Sequence, residues 1–161
     1  RAALAERLAK MSAPLNISLK AVQIQSINDQ RALSVDVTLT NTGILGTTLD
    51  ISDGPIRISR VIGFDNGSPR FGPVSASSKF KLRGSRERED EKGETAVVTH
   101  VTVLAGSTKT IPFLISAAES GIYLVEFRAH LDQKSVEEWT KAGAPADRWL
   151  DWAASTYTLI H

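Results

Sequence analysis

The residue types in this chain that could do chemistry are three histidines, a few loop carboxylates and three tryptophans. His100, His130 and His161 lie in or at the ends of predicted strands, and no Gly-x-Ser-x-Gly turn supplies a nucleophile. A solvated strand histidine is the better reading than a general base. The zinc motifs H-E-x-x-H and H-x-x-x-H do not occur. With no cysteine there is neither a thiolate nucleophile nor a thiolate metal site. Asp50, Asp53, Asp65 and Asn66 could ligate calcium, but they lack the dense spacing of a dedicated loop. Turn formation accounts for them better. No Gly-rich loop leads from a strand into a helix, so nucleotide binding has no support. Basic residues are dispersed and not interleaved with aromatics, so no nucleic-acid surface is read. The sequence therefore predicts no catalytic residue, no metal site and no cofactor.

Trp139, Trp149 and Trp152 are the concentrated aromatic feature and the candidate partner- or ligand-binding residues. Indole rings anchor protein partners, form platforms for sugars, or fill the end of a core. Core packing ranks first here, contact with a protein partner second, and stacking on a carbohydrate or peptide ligand third.

Bulk properties narrow the class. The 161 residues suit one domain, and 42% apolar content with a mean hydropathy of −0.11 supplies a core and argues against disorder. A formal net charge of +1 sets up no field for DNA or anionic lipid. The absence of cysteine argues only against a small disulfide-rich secreted fold. No apolar run reaches the roughly 18 residues a membrane span needs. The chain begins with Arg1, so the expectation is a processed product or fragment, with any signal peptide or anchor lying upstream.

The elements that must position these residues follow from periodicity. Residues 1–14 read as a short helix or stalk, with Leu4, Leu8 and Met11 in a stripe that Pro14 ends. Ile17 to Ile27 reads as a strand whose alternation slips after Ala21, which suggests a bulge. Leu33, Val35, Val37 and Leu39 alternate cleanly with polar residues up to the turn at Asn41-Thr42-Gly43. A weak strand in 44–54 and a firmer one over Ile56–Phe64 follow. Residues 65–77 hold two glycines and two prolines and read as a long irregular connection. Phe80 and Leu82 mark a charged edge strand, 84–93 a solvated hairpin tip, and Ala96–Leu104 the returning strand. Two strands then flank a corner at Glu119-Ser120-Gly121, with Tyr123, Val125, Phe127, Ala129 and Leu131 on the dry face of the second. Ser135 with Glu138 predicts a helix start, Gly143 its end, and Pro145 the first turn of a second helix carrying Trp149, Leu150, Trp152 and Ala153. Tyr157–Ile160 closes the chain as the last strand.

The spacing Glu119-x-Gly121-x-Tyr123 resembles the tyrosine corner of immunoglobulin-like sandwiches, where the hydroxyl bonds back to nearby backbone. Together with Val35-Asp-Val-Thr-Leu-Thr-Asn-Thr-Gly43, Leu104-Ala-Gly-Ser-Thr-Lys-Thr-Ile-Pro-Phe113 and Ser120-Gly-Ile-Tyr-Leu-Val125, it is similar to the CARDB-type modules of bacterial surface and secreted proteins. The insert 133–153, the loop 65–77 and the tip 84–94 depart from that pattern. The resemblance implies an all-β, immunoglobulin-like antiparallel β-sandwich over residues 15–161, to which the periodicity adds a short N-terminal helix over 1–14 and a helical insert, 133–153, before the last strand. It further implies a non-enzymatic protein-interaction or structural module of a larger assembly that is extracytoplasmic (periplasmic or cell-surface) or membrane-anchored; the alternative is an accessory domain that binds a carbohydrate or peptide through the tryptophan-rich insert. A protein partner is expected; a nucleic acid, a membrane span within the chain and a small-molecule ligand are not.

Overall fold

A computed structural model describes residues 15–27, 30–43, 46–78, 98–117, 119–141 and 151–161. The expected N-terminal helix 1–14, the edge strand at Phe80 and Leu82, the charged tip and the helix from Pro145 lie outside the described residues.

Two antiparallel sheets enclose one core. The smaller has the order β1 (Leu15–Ile27), β2 (Gln30–Asn41), β7 (Thr108–Ala117). The larger joins β3 (Thr47–Asp50), β4 (Ile56–Asp65), β5 (Ser68–Ser78), β6 (His100–Val103), β8 (Gly121–Leu131) and β9 (Asp151–Ile160). Strand β8 is its axis. One edge pairs with β9 from Gly121 to His130; the other pairs first with β4 and then with β3.

Side-chain alternation puts Leu33, Val35, Val37 and Leu39 of β2 into one cluster with Tyr123, Val125 and Phe127 of β8, all essentially inaccessible to solvent. Along one edge of the sandwich β1 lies against β9. Thr158 Oγ1 donates to the Ala21 carbonyl at 3.5 Å, and Gln23 Oε1 accepts from the His161 amide at 2.8 Å. Arg31 Nε reaches the His161 carbonyl at 2.9 Å. The two sheets are thus tied along an edge that has no backbone ladder of its own.

Four expectations are corrected. Residues 65–77 are not an irregular connection. Asn66 and Gly67 both take left-handed φ, 52° and 81°, the pattern of a tight two-residue hairpin loop, and β5 runs straight from it. The prolines are tolerated because, among the described residues, β5 ladders with β4 on one side of its backbone and with no strand on the other. Strand β1 keeps its register from Leu15 to Ile24, and its irregularity falls between Ile24 and Ile27, not after Ala21. Val22 and Ile24 are simply outward-facing and exposed.

The last strand begins at Asp151, not Tyr157, so Trp152 and Ala153 belong to β9 and not to a helix. Trp152, Ala154, Thr156, Thr158 and Ile160 follow the period-2 pattern that pairing with β8 demands. Finally, helix α1 spans Gln133–Lys141, starting two residues before Ser135. Asp132 stands before it, at the position where a short acidic side chain is favoured, and its carbonyl accepts the Val136 amide at 3.0 Å. Among the described residues no helix is long and apolar enough to cross a membrane.

Candidate interaction face

Of the three predicted tryptophans, Trp152 is the one whose side chain is described. Trp152 sits in β9 opposite Ala129, half-buried and packed on the core. Trp139 belongs to α1, but its side chain lies outside the described residues, as does all of Trp149.

The polar candidates resolve into structural roles. Asp50 Oδ1 accepts from the Ser52 hydroxyl at 2.6 Å and the Ser52 amide at 2.9 Å, closing the turn after β3. Those bonds hold its carboxyl below the ordinary 3.8; partial burial opposes them, and His100 and His130 add smaller favourable contributions. Asp50 is paired in register with His100 on β6 and His130 on β8. Yet no group of three or more His, Cys, Asp or Glu among the described residues is arranged to hold a metal ion.

The motif residues have clear duties. The Asn41 side chain is fully buried. Its amide donates to the Val103 carbonyl at 2.9 Å, and its Oδ1 accepts the Gly43 amide at 2.9 Å. The Gly106 amide donates to the Asn41 carbonyl at 2.8 Å, and Gly106 has φ 72°. The Asn-Thr-Gly and Gly-Ser segments therefore meet at one end of the core. At the other end Tyr123 is buried and its hydroxyl donates to the Glu119 carbonyl at 2.8 Å. Arg60 covers the same corner, bonding the Ser120 carbonyl through Nε at 3.0 Å and the Glu119 carboxylate at 3.2 Å.

What the structure adds is an apolar outer face on the larger sheet. Register places Val74, Ser59, Leu124 and Tyr157 in one row across β5, β4, β8 and β9. In the next row Ile122 pairs with Leu159. Phe71 stacks on Tyr157 with ring centroids 6.4 Å apart and planes 21° apart. Strands at the two ends of such a row stand about 14 Å apart at ordinary inter-strand spacing, so the two rings lean toward each other across β4 and β8. Ile122, Tyr157, Leu159 and Val74 are each 44–54% exposed. The outer face of the smaller sheet differs: Val22 and Leu114 are exposed there, but threonine pairs Thr38–Thr110 and Thr40–Thr108, each at 3.2 Å, and the Lys20–Asp36–Pro112 row occupy most of it.

Sequence reasoning missed this face for two reasons. Phe71 and Val74 fell in the stretch read as a loop, although Asn66-Gly67 between apolar runs is a strong hairpin signal. Gly121-Ile-Tyr-Leu-Val125 is apolar on both faces of its strand, a pattern that signals cover on both sides and not the usual one dry, one wet face.

No protein-family model matches the chain, and no curated protein does. Solved structures align with it at low similarity. A FixG-related protein from Vibrio parahaemolyticus covers 89% of this chain and 94% of its own length, at 7% identity and a TM-score of 0.41. Spo0M, a sporulation control protein from Bacillus subtilis, covers 89% of this chain and 48% of its own, at 8% identity and a TM-score of 0.44. Identities and TM-scores this low assign neither a family nor an activity.

Proposed function

We propose that the chain is a non-enzymatic protein-interaction module, an immunoglobulin-like sandwich of the CARDB type in a larger extracytoplasmic assembly, and that it binds its partner through the outer face of β5, β4, β8 and β9. The contiguous exposed apolar face carries this reading. Ordinary monomers rarely leave such a surface to water, and aromatic side chains at its centre are the usual anchors of a protein contact. The Asn41–Gly106 junction and the Tyr123 staple support the sandwich class, since both put the motif residues to the structural use that the resemblance implies. A ligand platform built on the tryptophans has less behind it, because Trp152 packs on the core.

The test is a photo-crosslinking residue at position 157, compared with one at position 38 on the other sheet, in cells that make the protein. One discrete protein adduct from position 157 and none from position 38 is the expected result. No adduct, or equal labelling at both positions, overturns the reading.

A further inference from the structure

We infer that the partner of this face is a second copy of the chain, docked sheet to sheet about a two-fold axis. The inference rests on the reading that the face binds protein, and two observations choose the occupant.

The first is area. Phe71, Val74, Ile122, Tyr157 and Leu159 are 37–54% exposed, which leaves roughly 500 Å² of apolar side-chain surface bare, at the upper end of what a lone monomer shows. A standard interface takes about 800 Å² from each partner, and in homodimers about 65% of it is apolar. The face therefore supplies the apolar half of such an interface with a core of its own composition. Two copies laid face to face would interdigitate these side chains at the ordinary separation of packed sheets, about 10 Å.

The second is charge. One rim of the patch carries the two signs side by side. There Arg57 is the register partner of Glu126, with Arg128 Nε 3.9 Å from the Glu126 carboxylate. A two-fold axis that brings this rim against itself sets an Arg of one copy against the Glu of the other. A partner of strong single sign would meet like charge there. The net charge of +1 leaves two copies without long-range repulsion.

Sedimentation equilibrium of the full chain decides the matter. The expected mass rises from the 17.4 kDa of one chain to twice that by about 100 μM, since interfaces of this size hold at micromolar affinity or better. Leu159→Lys and Tyr157→Glu, each kept folded by the criterion of unchanged near-UV circular dichroism, should weaken the dimer by about 100-fold or more. Leu114→Glu, on the other sheet, should leave it intact. A wild-type chain that stays monomeric throughout, or a dimer indifferent to Leu159→Lys, overturns the inference. If the wild type is monomeric while position 157 crosslinks to a different protein, the self-association fails and the interaction reading stands. If Leu159→Lys melts a monomeric wild type, a segment of the same chain covers the face and both readings fail.

Discussion

At the scale of single residues, two aromatic rings on one strand have opposite jobs. Trp152 faces the core opposite Ala129, whereas Tyr157, five residues on along the same strand, faces out. Trp152→Ala should lower unfolding free energy by about 2–4 kcal/mol, a little under a fully buried aromatic truncation. Tyr157→Ala, measured at low protein concentration, should stay within about 0.5 kcal/mol of wild type. Urea titration reads both, and equal losses would contradict the face assignment. Gly121 is a different case, with φ at 147°, where L side chains are strained, and a Cβ there would lie 2.8 Å from Arg60 Nε. Gly121→Ala should therefore destabilise by about 1–3 kcal/mol. Arg60→Ala in the same chain should recover the contact part but not the backbone part, because the guanidinium can be removed while φ cannot change. A double-mutant cycle with no coupling between the two would show that Arg60 is not the obstacle.

At the scale of elements, the junction of β2 with the β6–β7 turn depends on one buried amide. Asn41→Ala strips the donor from the Val103 carbonyl and the acceptor from the Gly43 amide, at a cost of about 2–3 kcal/mol, because buried polar groups left unpaired lose their hydration without replacement. Asn41→Asp keeps the Gly43 bond but sets a carboxylate against the Val103 carbonyl, and thermal melts should place it no higher than the alanine variant. A melting temperature equal to wild type in either variant would remove Asn41 from that role. The turn at Asn41-Thr42-Gly43, the tyrosine staple and the alternating faces of β2 and β8 were legible in the sequence, because turn chemistry and period-2 burial are local signals; the bridge from Asn41 to Val103 and Gly106 was not, because it joins segments some 60 residues apart. The extent of β5 and β9 was not. Prolines and glycines in 69–73 imitate a loop unless the Asn66-Gly67 hairpin is recognised first, and Trp149, Leu150, Trp152 and Ala153 fit a helical stripe as well as the start of a strand. Only pairing with β8, a contact far along the chain, decides the second case. The outer apolar face was hidden for the same reason, since it is assembled by register from four strands and no single segment displays it.

At the scale of the whole molecule, stability should be graded by how many edges each strand shares. Strand β8 has backbone partners on both edges, and β2 lies between β1 and β7. Among the described residues, strand β1 has one ladder and meets β9 through side chains such as Gln23, while β6 pairs with β3 alone over four residues. An amide exchanges when its hydrogen bond opens. Strands held on both sides open only with the global transition, while those held on one side open by local fraying. Native-state hydrogen exchange should therefore rank the amides of β2 and β8 as most protected, β1 as intermediate and β6 as least. The side-chain ties along the β1–β9 edge add a second expectation: Gln23→Ala should speed exchange in β1 near Ala21 and leave β8 unchanged, since the core beneath β8 does not depend on that edge. Exchange in β8 as fast as in β6 would mean that the larger sheet is not organised around it. The outer-face register on which the proposed contact depends would then lose its support.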